Sequence, residues 1–349
     1  MDRGTGQLGG LKTDAQDPSI RRLVPLVYAA AADRLDPESR AFAKQVVRAT
    51  WVDTQMKLRQ VSAVIAQLQS EGIETCLLKG TGLFDAAYGG EVARRPISDV
   101  DVLFHRNQSA AVITHLKTLG YSTPSKAEFG PDSEAAYAGA NYFRGRHDGI
   151  DVHWKINHWQ GDAELQDRMW DRRVRARIAD VPTTTLCRTD HLVHTFLHGC
   201  ADNEFHPCRW VADAALLIEK ATPDDPIDWD LFVDECQRAR VVIGASVALQ
   251  WLSDELDVAV PTAVSTQLAA AEVHSLDRLT AWVRGQPASR RTMAARLLVV
   301  DFAHRTTGYS TRRRVQIYPA YVRDSIRRGD TPVIRTAARI VSRGMSAKP

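Results

Sequence analysis

Apolar residues recur along this chain with two different periods, and the change from one to the other and back divides it into three stretches. Over residues 18–70 they return three and four positions apart, in IRRLVPLVYAAAADRL and again in FAKQVVRATWVDTQMKLRQVSAVIAQLQS, which predicts two or three helices. Glu71-Gly72 ends the last of these, and IETCLL then reads as a short buried strand running into the glycine-containing turn KGTG. LFDAAY suits one or two helical turns before Gly89-Gly90. In ISDVDVLF the period becomes two: Val100, Val102 and Phe104 face one way, Asp99 and Asp101 the other. A helix is expected in SAAVITHLKTLG, followed by a hairpin in YFRGRHDGIDVHWKI around Asp148-Gly149. Its second strand places Ile150, Val152, Trp154 and Ile156 on one face and Asp151, His153 and Lys155 on the other.

Beyond about Gly161 helical spacing returns, in DRMWDRRVRARIA, HLVHTFLHGCADN, CRWVADAALLIEK and later runs, with VPTTTLC as a stray strand. The order predicts an α+β protein: a small mixed-sheet core with helices, and a larger helical C-terminal domain. The expected divisions are a helical segment over 1–70, the core over 71–160, a helical domain covering the cleft over 161–310, and a basic tail over 311–349.

Composition narrows the class without choosing a function. With 349 residues, 44% hydrophobic and 25% charged, the chain is long enough for two domains and matches an average globular protein. No run of about 18 apolar residues predicts a membrane span, and the N-terminus lacks an apolar signal core, so a cytoplasmic protein is expected. The five cysteines contain no CxxC pair and are read as reduced and structural. The net charge of +3 is uneven: residues 311–349 hold ten Lys or Arg against two Asp or Glu, leaving the rest at −5. Such a tail suits an acidic partner, although a solvated arginine-rich face is the commoner use of such a run.

Asp99, Asp101 and Asp151 carry the candidate chemistry. Two aspartates one residue apart on a strand project from one face, and a third on a neighbouring strand completes an oxygen-rich site suited to Mg²⁺ or Mn²⁺. Lys79, Gly80 and Thr81 stand where a strand gives way to a helix, a place where backbone N–H groups cradle phosphate. Arg94 and Arg95 precede the aspartate strand, with Ser98 beside it, where a guanidinium can pair with phosphate oxygens. His153 shares a face with Asp151, and His198 and Asp213 are candidates for the acceptor side of the cleft. His191, His194 and His198 follow helical spacing, but Thr195 stands where a metalloprotease carries glutamate, and His206, Cys200 and Cys208 lack zinc-ligand spacing. Trp159 and the other dispersed tryptophans read as core or interface anchors.

The succession LLKGTGL, YGGEVARRPISDVDVLF, a helix ending in LKTLGY, and IDVHWKI resembles the nucleotidyltransferases of the DNA polymerase β superfamily, in the branch where an LKG turn replaces the usual Gly-Ser turn. HLVHTFLHGC and RWVADAALLIE resemble that branch's helical region, and the likeness covers roughly residues 60 to 220. It implies that Asp99 and Asp101 ligate metals and triphosphate, that Asp151 is the third carboxylate and helps activate an acceptor hydroxyl, and that Gly80 and Thr81 lie over the phosphates. The implied activity is transfer of a nucleoside monophosphate, AMP foremost, from ATP or another NTP to an acceptor hydroxyl, with release of pyrophosphate. A small molecule, a peptide and RNA all remain open as acceptors. Two other readings stay beside it: a non-catalytic nucleotide-binding or toxin–antitoxin-type interaction protein of the same fold, and a nucleic-acid-binding protein that works through the basic tail.

Overall fold

The computed structural model describes residues 8–123, 137–145, 148–157, 164–200, 207–287 and 296–328. Three helices come first: α1 (Leu11–Asp14), α2 (Pro18–Ala31) and α3 (Pro37–Ser70). Asp17 and Asp36 cap α2 and α3 by accepting from the N–H groups of Ser19 and Ser39, and each helix has proline in its first turn, where no N–H is needed.

The sheet has six strands: β1 (Cys76–Leu77), β2 (Val100–Leu103), β3 (Gly139–Phe143), β4 (Gly149–His153), β5 (Val174–Ile178) and β6 (Val181–Thr185). Their spatial order is β3-β4-β2-β1-β6-β5, with β4 parallel to β2, β6 parallel to β1, and the other neighbours antiparallel. The expected hairpin is present as β3–β4. The expected helix over DRMWDRRVRARIA is only half so: α6 (Leu165–Asp171) stops, and VRARI becomes the edge strand β5. Val174, Ala176 and Ile178 alternate with Arg175 and Arg177, a strand period that overrides the helical lead-in. VPTTT is accordingly no stray strand but β6, which pairs with both β5 and β1. One sheet therefore runs on to Thr185, past the position near 161 where helices were expected to take over.

Alternation on the strands sorts side chains into two cores. Leu77, Val100, Val102, Phe104, Ile150, Val152 and Trp154 pack with the inner face of α3 and with α5 (Ser109–Thr118). Cys76, Leu78 and Leu103 point oppositely, into a core shared with α4 (Lys79–Tyr88), α7 (Arg188–Cys200), α8 (Pro207–Glu219), α9 (Trp229–Arg238) and α10 (Val242–Leu256). Ile156 joins this second core rather than sharing a face with Trp154, because β4 ends at His153 and the alternation ends with it. Smaller helices α11 (Thr262–Ala270), α12 (Ser275–Arg284) and α13 (Phe302–Arg305) follow, the last after a π-helical turn over Arg296–Asp301.

The beginning of the expected basic tail is a docked helix, α14 (Thr311–Arg328). Ile317 and Tyr321, four apart, are buried in the core beneath β2 and β4, and the Tyr321 hydroxyl donates to Asp301 at 2.9 Å. An apolar stripe thus anchors a segment that its charge count made look like free tail. Residues 329–349 of that tail, Trp159 and His206 lie outside the described residues. Among the described residues no helix is long and apolar enough to cross a membrane, and Cys76, Cys187 and Cys236 form no disulfide.

Candidate functional site

Parallel pairing of β2 and β4 sets Asp101 directly opposite Asp151. His153, two residues further along β4, lies with its Nε2 2.9 Å from Asp151 Oδ2 and 3.1 Å from Asp101 Oδ1. Asp101, Asp151 and His153 each offer a ligand atom within 4.8 Å of the others, a donor set that could hold a divalent ion. Asp99 sits just ahead of β2, half-buried and facing the same region.

Lys79 enters from the opposite side. It joins β1 to α4 with φ +46°, a left-handed conformation that costs a residue with a Cβ about 1 kcal/mol. Its Nζ is 2.5 Å from Asp101 Oδ1, 3.7 Å from Asp151 Oδ2 and 3.3 Å from His153 Nε2. Charges here are strongly interdependent. Burial disfavours the Lys79 ammonium, but Asp101 and Asp151 outweigh it and hold the group above the ordinary lysine value. Burial would raise Asp101, yet Lys79 and His153 keep it well below the usual carboxylate range. Asp99 is pushed up to about 7 by burial and then by the charges of Asp101 and Asp151. For His153 burial is overcome chiefly by Asp151, and its pKa rises to about 9.

Lys79, Asp99 and Asp101 border a cavity of about 440 Å³, a size suited to a small ligand. Arg22, Arg95 and Arg209 line the same cavity. Arg95 is 5% exposed and grips Asp213 with Nε and Nη2, both at 2.7 Å. Tyr88 donates to the same carboxylate at 2.6 Å. Arg95 Nη1 packs so closely on Gly80 that a Cβ there would stand 2.1 Å from it, which explains the glycine. Arg22, from α2, donates to Ser98 Oγ at 2.9 Å, and Arg209, from α8, donates to the Pro96 carbonyl at 3.4 Å. Neither forms an ion pair with a described residue. Burial, then the charges of Arg95 and Arg22, lower the Arg209 pKa to about 10.

The residues singled out from the sequence are thus partly gathered. Lys79, Gly80, Arg95, Ser98, Asp99, Asp101, His198 and Asp213 line the cavity, and Asp151 and His153 stand behind Asp101. Thr81 does not line it: its hydroxyl is buried without a partner and the residue borders a second cavity behind α4, because successive positions in the first helical turn point about 100° apart. Arg94 is exposed and outside the cavity; the turn that buries Arg95 sends its neighbour to solvent. Asp213 serves as the counterion of Arg95 rather than as a group free to meet an acceptor. His191 pairs with Thr185 at 3.0 Å, and His194 donates from Nε2 to the Ile156 carbonyl at 3.0 Å; burial lowers the pKa of each to about 3. Arg22 and Arg209 were missed, since no local spacing links them to each other or to the aspartates.

A family model described as an uncharacterised nucleotidyltransferase matches residues 20–252. No curated protein matches the chain. Among solved structures, the solution structure of the antibiotic-resistance factor ANT(2'')-Ia aligns with 13% identity over 55% of this chain and 94% of that one, with TM-score 0.35. The crystal structure of an antigenic nucleotidyltransferase-like protein from Paracoccidioides brasiliensis aligns with 17% identity over 63% of this chain and 95% of that one, with TM-score 0.39. Both overlays are partial, and the sequence match over residues 20–252 is the stronger likeness.

Proposed function

Since the chain belongs to this nucleotidyltransferase family, matched across residues 20–252, we propose that it binds ATP or another NTP with Mg²⁺ or Mn²⁺ in the cavity and transfers the nucleoside monophosphate to an acceptor hydroxyl. The acceptor oxygen forms a bond to the α-phosphorus, the bond from that phosphorus to the β-phosphate bridging oxygen breaks, the electron pair leaves with pyrophosphate, and the hydroxyl proton is lost. The observation that carries this reading is that two carboxylates, Asp99 and Asp101, and two arginines, Arg22 and Arg209, line one cavity together. A divalent ion held at the aspartates would neutralise charge gathering on the reacting phosphate.

The chain's own residues supply the rest. Arg22 and Arg209 bind triphosphate oxygens, because neither forms an ion pair with a described residue and guanidinium–phosphate hydrogen bonds are strong in a half-buried site. Arg95, locked by Asp213, packs on Gly80 and keeps α4 close. Asp151 orients the acceptor hydroxyl and takes up its proton, while His153, whose own pKa is raised to about 9, holds Asp151 Oδ2 and Asp101 Oδ1 in place. Which acceptor is used, whether small molecule, peptide or RNA, is decided by the helices α7 and α8, which supply His194, His198 and Trp210 to the cavity lining.

The reading is tested by incubating the protein with each α-labelled NTP, Mn²⁺ and fractionated acceptors, beside the Asp101→Asn variant. Label should reach an acceptor with the wild type and fall at least a hundredfold with the variant, the size expected when charge stabilisation is lost at a reacting phosphate. Undiminished transfer by Asp101→Asn would defeat it.

A further inference from the structure

Three carboxylates around a nucleotide can hold two divalent ions about 3.5 to 4 Å apart. This site departs from that arrangement. The space between Asp101 and Asp151 is already filled by two groups of the chain: His153 Nε2 lies 3.1 and 2.9 Å from Asp101 Oδ1 and Asp151 Oδ2, and Lys79 Nζ lies 2.5 and 3.7 Å from the same two oxygens. A Mg²⁺ bridging those oxygens would have to sit about 2.1 Å from each and would displace both.

Several features fix Lys79 there. Its left-handed backbone at φ +46° aims the side chain inward from the end of β1, and that side chain is only 23% exposed. Leu78 N–H donates to the Asp101 carbonyl at 3.0 Å, so the lysine's backbone is tied to the strand whose carboxylate it meets. Access is also unequal: Asp99, Asp101 and Lys79 line the cavity, whereas Asp151 and His153 are not among the residues that do. An ion arriving with a nucleotide therefore meets Asp99 and Asp101 in the cavity, with Lys79 and His153 already seated between Asp101 and Asp151.

We propose that the Lys79 ammonium stands in for one of two metal ions, so that the site takes a single divalent ion, at Asp99 and Asp101, with each bound nucleotide. The inference rests on the nucleotidyltransferase reading above and adds a metal count and a positioning residue to it. Lys79 supplies a permanent positive charge between Asp101 and Asp151, sets those carboxylates for the acceptor side, and needs no ion there.

The count is measured on the whole chain with Mn²⁺ and a non-hydrolysable α,β-methylene ATP, by equilibrium dialysis and by electron paramagnetic resonance. The wild type should bind one Mn²⁺ with the spectrum of an isolated ion. Lys79→Met, nearly the same length without charge, should bind two with the broadened spectrum of a coupled pair, and Lys79→Arg should bind one. A coupled pair in the wild type, or a single ion in a folded Lys79→Met, overturns the inference. Should Lys79→Met fail to fold, the wild-type and Lys79→Arg counts decide. Two ions in a wild type that still transfers α-label sink the metal count alone, whereas no Mn²⁺ bound to any form and no transfer sink the nucleotidyl reading with it.

Discussion

Replacing Asp213 should damage this protein more than replacing any exposed carboxylate, and the size of the effect follows from its partners. Asp213 is 4% exposed and receives Arg95 Nε and Nη2 at 2.7 Å each and the Tyr88 hydroxyl at 2.6 Å. Arg95 is equally buried, and Arg209 and Arg22 are positive neighbours that do nothing to compensate it. Asp213→Leu leaves a buried guanidinium unpaired and should cost about 3 to 5 kcal/mol. Arg95→Met strands the opposite charge and should cost a similar amount. The double variant strands neither, loses only the tyrosine's partner, and should cost about 2 kcal/mol or less. Urea unfolding of all four proteins, followed by two spectroscopic probes, yields the coupling as the difference between the double and the sum of the singles. A single-variant cost under about 1 kcal/mol, or a double variant equal to the sum, would refute the assignment of Arg95 and Asp213 as a buried clamp between the sheet region and the helices.

Gly80→Ala should weaken binding of a fluorescent NTP analogue at least tenfold, about 1.4 kcal/mol, since its Cβ would meet Arg95 Nη1 at 2.1 Å and Ile97 Cγ2 at 2.6 Å; affinity within twofold of wild type would show that the contact is idle. His191 and His304 are buried, with pKa values lowered by burial to about 3. Because these folded values lie below the unfolded one, their contribution is present above about pH 6.5 and is lost as pH falls toward 3, by about 1.4 kcal/mol per pH unit for each proton, and His194, held as low, adds a third. Urea midpoints at pH 7, 6 and 5 test this, and a flat profile counts against it. Asp277 has the opposite sign: burial raises its carboxyl to about 6, against hydrogen bonds from the Ile243 and Val242 backbone. Asp277→Asn should therefore gain about 2 kcal/mol over wild type at pH 8, after allowance for solvent screening, and should lose that advantage by pH 4. An advantage that does not change with pH would point to packing instead.

How much of this was legible depended on whether the signal was local. The alternation in SDVDVLF and IDVHW fixes which side chains share a face, so Asp99, Asp101, Asp151 and His153 could be picked out before any pairing was known, and the parallel register of β2 and β4 then brought Asp101, Asp151 and His153 together. In VRARI the same period of two was present but followed a helical run, and the alternation was too short to outweigh it. Arg94 and Arg95 looked equivalent because adjacency cannot say which of two arginines will find a buried Asp213 on a distant helix. Arg22 and Arg209 were invisible for the same reason: they meet at the cavity only because α2 packs on α8. Charge misled in α14, where six of the ten basic residues between 311 and 349 fall and drew attention away from the stripe of Ile317, Ala320 and Tyr321.

Nucleotidyl transfer requires that the α-phosphorus be the atom attacked. Parallel reactions with NTP labelled at the α-phosphate and at the γ-phosphate, with products separated and weighed, test it most directly. α-Label should appear on the acceptor and γ-label in pyrophosphate, and the Asp99→Asn, Asp101→Asn double variant should give neither product. γ-Label on the acceptor, or α-label transfer that survives the double variant, would contradict it.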